Sequence, residues 1–199
     1  MPGRSREILK HAAIVWFCLA ALAFSWLLMQ IVHEFGHVFH AWFSGGTVQR
    51  VVLHPLAISR TDVFPNPRPR IVTWGGFAGG IGIPLAMWWI AYRFRRKITG
   101  YFEFFTGFCL IANGAYLSSG GWSPVGDTRD LINRGESPLL MAVLGMIAIA
   151  YGLWIWHRLD RRTRDRGLFS GGVRTGDVVG VSVGLSVVVL LEWILSSSP

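Results

Sequence analysis

Residues His33-Glu34-Phe35-Gly36-His37 read HEFGH, a match to the H-E-x-x-H pattern. On a helix, residues i and i+4 lie on one face, so His33 and His37 can turn both imidazoles toward one metal ion. Glu34 follows the first histidine and is placed to take a proton from water at that ion. Zn²⁺ lowers the pKa of a water it holds to about 7, which makes hydroxide available at neutral pH. Two helix histidines near a membrane surface, with an unrelated Glu between them, would give the same string.

The element that carries the motif narrows the choice. Ala12 to Val32 is a 21-residue run without a charge, long enough to span a bilayer, and it enters HEFGH with no Gly or Pro between. Ionisable groups at the end of a membrane helix are costly to desolvate, and their default reading is functional. A hydrophobic helix ending in HExxH resembles the site-2 protease family of intramembrane zinc metalloproteases. The basic N-terminus with Arg4, Arg6 and Lys10, followed by an apolar run and Ala21-Leu22-Ala23, also has the form of a signal peptide. The run continues past Ala23 into the motif, so a retained span is expected.

Composition leads to the membrane independently of the motif. Of the 199 residues, 52% are hydrophobic and 15% charged, with mean hydropathy +0.43. Soluble domains carry about 25% charged residues. The ten tryptophans suit membrane interfaces. A net charge of +8 could suggest nucleic acid, but the arginines cluster beside apolar spans, as cytoplasmic flanks do, so no nucleic-acid partner is expected. Cys18 and Cys109 sit inside apolar runs and read as small packing residues.

After His37 the helix should continue through Phe43 and stop at Gly45-Gly46. His40 shares the motif's face and reads as a polar neighbour, because three histidines in under two turns strain a metal site. Residues 47–63 are rich in β-branched side chains and read as short strands, a hairpin broken at Pro55. His54 within them reads as a surface histidine. A Pro-rich connector, residues 65–69, leads to a span whose first half, Trp74 to Gly82, has small residues at helical spacing, which lets membrane helices approach closely. A third span contains Glu103 and Asn113. A Gly/Ser/Pro break then leads into a segment around Asp127 that could start a short helix. Glu192 in the last span reads as a carboxylate that snorkels, with no catalytic role.

A catalytic zinc site needs three protein ligands and one open position. The resemblance implies an Asp from a later span, preceded by an Asn and a Pro. Asn113, Pro124 and Asp127 occur in that order, with a longer gap than the family's and with Gly before the Asp instead of after it. Asp127 is the expected third ligand and Asp130, three residues on, the alternative. An aspartate at such a break can also cap a helix. The resemblance further implies that Asn113 steadies the substrate or the oxyanion, and that the β-rich segment holds substrate in extended form.

The expected architecture is an all-α integral membrane protein, one multi-pass membrane domain over residues 1–199. It has about five transmembrane helices, near 12–43, 71–92, 101–117, 138–156 and 178–195, a small β-rich insertion after the first, and a catalytic core over about 12–135. With five spans, one side receives 13 Lys/Arg and the other 6, which puts the N-terminus in the cytoplasm and HEFGH toward the outside. The resemblance implies the opposite facing for the site. The expected function is a zinc-dependent intramembrane endopeptidase, with Zn²⁺ held by His33, His37 and Asp127 and with Glu34 as the base. Its partners are a membrane-protein substrate and the lipid bilayer; the sequence carries no signal for a particular oligomeric state. A non-catalytic scaffold with structural zinc and a metal or proton transporter are the other classes. Glu34 speaks for the enzyme, since a structural site has no need of it.

Overall fold

The protein is described by a computed structural model covering residues 2–94, 98–165 and 173–196, with side chains over 7–94, 98–162 and 173–194. Of the expected basic flanks, Arg95, Arg96, Lys97 and Arg166 lie outside the described residues, and the side chains of Arg4, Arg6 and Arg164 do so as well. In chain order the elements are α1 (Pro2–Phe43), β1 (Val48–Val52), β2 (Arg60–Val63), α2 (Pro69–Arg93), α3 (Thr99–Ser119), α4 (Gly126–Asn133), α5 (Pro138–Asp165) and α6 (Thr175–Ser196).

Successive long helices alternate in direction from α1 through α2 and α3 to α5. The C-terminal half of α1 packs on the N-terminal half of α2, with Gly36 against Gly75 and Gly79. Between α2 and α3, the Thr99, Thr106 and Asn113 side chains donate to the carbonyls of Ala91, Pro84 and Gly80, an antiparallel order. Gly107 and Gly114 of α3 meet Gly152 and Gly145 of α5, again antiparallel. Helix α6 lies along α1 in the same direction: Trp16 donates to Ser182 Oγ, and Phe24 packs on Gly184.

Among the described residues, four helices are long and apolar enough to cross a membrane, over Glu7–Phe43, Pro69–Arg93, Pro138–Arg162 and Thr175–Ile194. The third expected span differs. Helix α3 has 21 residues, about 31 Å of helix, but its hydropathy falls below that of the other four. The cause lies inside the bundle, where α3 buries Glu103, Thr106, Asn113 and Ser118. Glu103, 1% exposed, pairs with Arg162 of α5 at 3.1 Å and lies 3.9 Å from Arg158, whose guanidinium sits among Trp88, Tyr92 and Trp154. Outward faces carry large apolar side chains such as Trp16, Leu19, Ile147 and Trp193, each more than half exposed.

Helix α1 ends as its glycines dictate. Gly45 takes φ +81, and the Gly46 N–H closes on the Ala41 carbonyl at 2.8 Å, which satisfies an orphan carbonyl of the last turn. The chain then forms a two-stranded antiparallel hairpin in which Val51 pairs with Thr61 and Val52 with Arg60. The β-rich insertion after the first span is this hairpin.

Glycine spacing sets how closely α1 and α2 approach. A Cβ on Gly79 would fall 3.0 Å from the Gly36 nitrogen and the Val32 carbonyl, whereas a Cβ on Gly82 meets nothing within 4 Å. Gly79→Ala should therefore cost about 1–3 kcal/mol by overpacking. Gly82→Ala should be neutral, or stabilise by up to about 1 kcal/mol through helix propensity. Melting temperatures of the two variants in detergent check this; equal destabilisation would contradict it.

Candidate metal centre

His33 and His37 are 9% and 6% exposed, on the α1 face turned toward α2, α3 and α4. Each ring is fixed from behind. His37 Nδ1–H donates to the Val72 carbonyl at 2.8 Å. His33 Nδ1–H donates to Asn113 Oδ1, also at 2.8 Å. The amide of Asn113 is oriented independently of the histidine, because its Nδ2 donates to the carbonyls of Cys109 at 3.0 Å and Gly80 at 3.4 Å. The Gly80 carbonyl is free for this because Pro84, four residues on, has no N–H to give it.

With both Nδ1 atoms protonated, neutral imidazoles present bare Nε2 lone pairs. These two atoms lie 3.3 Å apart, and Asp127 Oδ2 sits 2.9 Å from the His33 nitrogen and 3.1 Å from the His37 nitrogen. Three acceptors thus converge on one point, an arrangement that could hold a cation. A tetrahedral zinc site with metal–ligand bonds near 2.0–2.1 Å requires donor atoms about 3.3 Å apart, close to this spacing. Gly76 leaves the room: a Cβ there would lie 2.6 Å from His33 Nε2 and closer still to His37 Nε2. The residues present fit Zn²⁺.

Two carboxylates stand near the imidazoles. His33, Glu34 and His37 offer ligand atoms within 4.8 Å of one another and could together hold a metal ion. Asp127 reaches both Nε2 atoms directly, whereas Glu34 Oε2 accepts a 2.6 Å hydrogen bond from Thr61 Oγ1 on β2. Asp127 is therefore placed where a third ligand would stand, and Glu34 is a carboxylate held beside the imidazoles by Thr61. Asp127 is the second residue of α4, and its side chain does not cap that helix. Asp130 lines the cleft one turn on, without a hydrogen bond to either histidine.

The site opens into a cleft of about 1060 Å³ between α1, α3, α4 and the hairpin, with Thr61, Asn113, Tyr116 and Arg129 among its lining residues. Ser59 N–H donates to Gln30 Oε1, so the hairpin is tied to α1 one turn before Glu34. His40 lies off the site: its Nδ1–H donates to the Gly36 carbonyl at 2.8 Å, and its ring packs at Gly75. His54 Nδ1 accepts from Leu56 N–H in the hairpin loop, and its ring lies 5.5 Å from Trp193. Glu192 is 2% exposed, and neither carboxylate oxygen has a hydrogen-bond partner among the described residues. Val72, Gly76, Thr61 and Tyr116 are the site residues that sequence reasoning missed. Only Gly76, inside the glycine-rich stretch, carried a local signal.

No protein-family model, curated protein or solved structure matches the chain.

Replacement of His33, His37 or Asp127 by Ala should each reduce bound metal well below one ion per chain, while Asp130→Ala should retain it. Elemental analysis of the purified variants distinguishes the two aspartates. Metal lost with Asp130 and kept without Asp127 would overturn the ligand assignment.

Proposed function

We propose that the chain is an integral membrane zinc endopeptidase that cleaves peptide bonds of transmembrane substrates. The observation that carries this reading is the convergence of His33 Nε2, His37 Nε2 and Asp127 Oδ2 on one point with Glu34 alongside. The residues of HEFGH that resemble the site-2 protease family support it as well. Zn²⁺ bound there would act as a Lewis acid on the scissile carbonyl and lower the pKa of water.

The chain's own residues supply the rest. Thr61 donates to one oxygen of Glu34 and so fixes the carboxylate. The other oxygen takes a proton from the attacking water as the C–O bond forms. The same proton then passes to the amide nitrogen as the C–N bond breaks, leaving a carboxylic acid and an amine. A peptide bond inside a helix is shielded by its own hydrogen bonds, so the substrate must unwind before attack. The extended β2 strand beside Glu34 suits an unwound segment.

The alternating directions of α1, α2, α3, α5 and α6 support five membrane crossings, with α3 as the polar, inward-facing one. The 13-to-6 Lys/Arg asymmetry then puts the N-terminus in the cytoplasm and the C-terminus outside. A reporter fused after Pro199 should be active on the outer side. Activity confined to the cytoplasm would reverse the orientation.

Glu34→Gln separates enzyme from scaffold and from transporter. The variant should fold and hold zinc as the parent does, yet lose cleavage by a factor of roughly 10² to 10⁴. The assay is co-expression with single-span candidate substrates, read by their size on a gel. Cleavage by Glu34→Gln at the parental rate, or no cleavage of any candidate by the zinc-loaded parent across a broad panel, would sink the proteolytic reading.

A further inference from the structure

We infer that one turn of α3 positions both ends of the ligand set: Asn113 fixes the tautomer of His33, and Tyr116 clamps the backbone that carries Asp127. The inference rests on the reading of this cluster as a metal site. It concerns positioning residues and assigns neither of them a contact with substrate.

Asn113 and Tyr116 are three residues apart and so lie on one face of α3. The Tyr116 hydroxyl is used in both directions. It donates to the Val125 carbonyl at 3.0 Å and accepts from the Asp127 N–H at 2.9 Å. That N–H is one of the orphan donors of the first turn of α4, which has no partner within its own helix. A single phenol thus ties together the residues on either side of Gly126. Gly126 takes φ +50, and a Cβ there would lie 2.7 Å from the phenol oxygen, so glycine serves both the backbone conformation and the close contact. The Tyr116 ring also stands edge-on to His33, with ring centroids 6.0 Å apart. Thr128, the next residue, bonds the Val125 N–H and carbonyl through its Oγ1, and Gly120 leaves space for it against the end of α3.

The consequence is a division of labour along α3. Helix α4 has only eight residues and carries the one ligand that does not come from α1. Leu131 and Thr128, each 1% exposed, bury α4 in the bundle; the backbone of Asp127, which sets the 2.9 and 3.1 Å contacts to the histidines, takes a separate anchor. Tyr116 supplies that anchor from the helix that also orients His33, so the two ligands are referenced to one rigid element. Partners that orient metal ligands are commonly worth 10- to 100-fold in metal affinity.

The test uses the full chain in detergent. Zn²⁺ and Co²⁺ affinities are measured by chelator competition for the parent, Tyr116→Phe, Asn113→Leu and Asn113→Asp, together with the cobalt visible spectrum and the melting temperature of the metal-free protein. Tyr116→Phe keeps the ring and removes only the hydroxyl. It should bind both metals about 10- to 100-fold more weakly and alter the cobalt spectrum, while the metal-free melting temperature stays at the parental value. Asn113→Leu should weaken binding by a similar factor, and Asn113→Asp, which keeps the accepting oxygen, should restore it to within a few fold of the parent.

Parental affinity and an unchanged cobalt spectrum in Tyr116→Phe would overturn the clamp and leave the metal site standing. So would a fall in metal-free melting temperature large enough to account for the lost affinity. A parent that binds neither metal would overturn the metal-site reading and the clamp with it.

Discussion

Three electron-rich atoms, two imidazole nitrogens and a carboxylate oxygen, are held about 3 Å apart with no hydrogen donor among them once both Nδ1 protons are committed to Asn113 and Val72. Buried acceptors left without a partner cost about 1–3 kcal/mol each. A cation at the centre removes that cost and turns the mutual repulsion into attraction. Much of the surrounding packing serves this convergence. Gly36, Gly75 and Gly79 bring α1 onto α2, Gly76 clears the space at the nitrogens, and Gly80 admits Asn113.

In a bilayer, such a scaffold would have to hold together without help from a hydrophobic drive between helices, because lipid tails are as apolar as leucine. The bundle uses close backbone approach and buried polar contacts. Glycine pairs bring α3 onto α5 at two levels, Gly107 with Gly152 and Gly114 with Gly145. The Trp156 indole N–H donates to the Phe104 carbonyl, and Glu103 pairs with Arg162 at the end of α3 remote from the site. Helix α3 is thus pinned at one end by an ion pair and carries Asn113 and Tyr116 near the other. The polar residues that lower its hydropathy are the ones that hold it in place.

Much of this was legible in the sequence, for local reasons. An uncharged run marks a helix long enough to cross a membrane, and HEFGH puts two imidazoles side by side because helical spacing is invariant. The turn at Gly45-Gly46 follows from the need for a positive φ, and the alternating, β-branched stretch after it gave the hairpin. Asp127 and Asp130 both follow a Gly/Pro break in the sequence; in the fold Asp127 is the one whose carboxylate reaches both histidine rings. The rest depends on tertiary contact. Nothing local says that Thr61 meets Glu34 across 27 residues, or that Val72 accepts from His37 across 35. The glycine-rich stretch announced close packing, but Gly79 faces α1 while Gly82 faces open space, and the periodicity alone does not say which. Asn113 was expected beside the substrate by resemblance; here its oxygen is taken by His33, and both its nitrogen contacts are backbone carbonyls. The buried carboxylates Glu103 and Glu192 look alike as lone acids in apolar runs, yet one finds two arginines and the other no partner among the described residues.

On the proposed reading, His33, His37 and Asp127 form one metal site with an open position. X-ray absorption at the zinc edge on the purified full chain tests it most directly. The account predicts stoichiometric zinc in a four-coordinate shell of nitrogen and oxygen at about 2.0–2.1 Å, with the outer-shell scattering of two imidazoles and no sulfur. A chain without stoichiometric zinc, or zinc in a shell containing sulfur or fewer than two imidazoles, would contradict it.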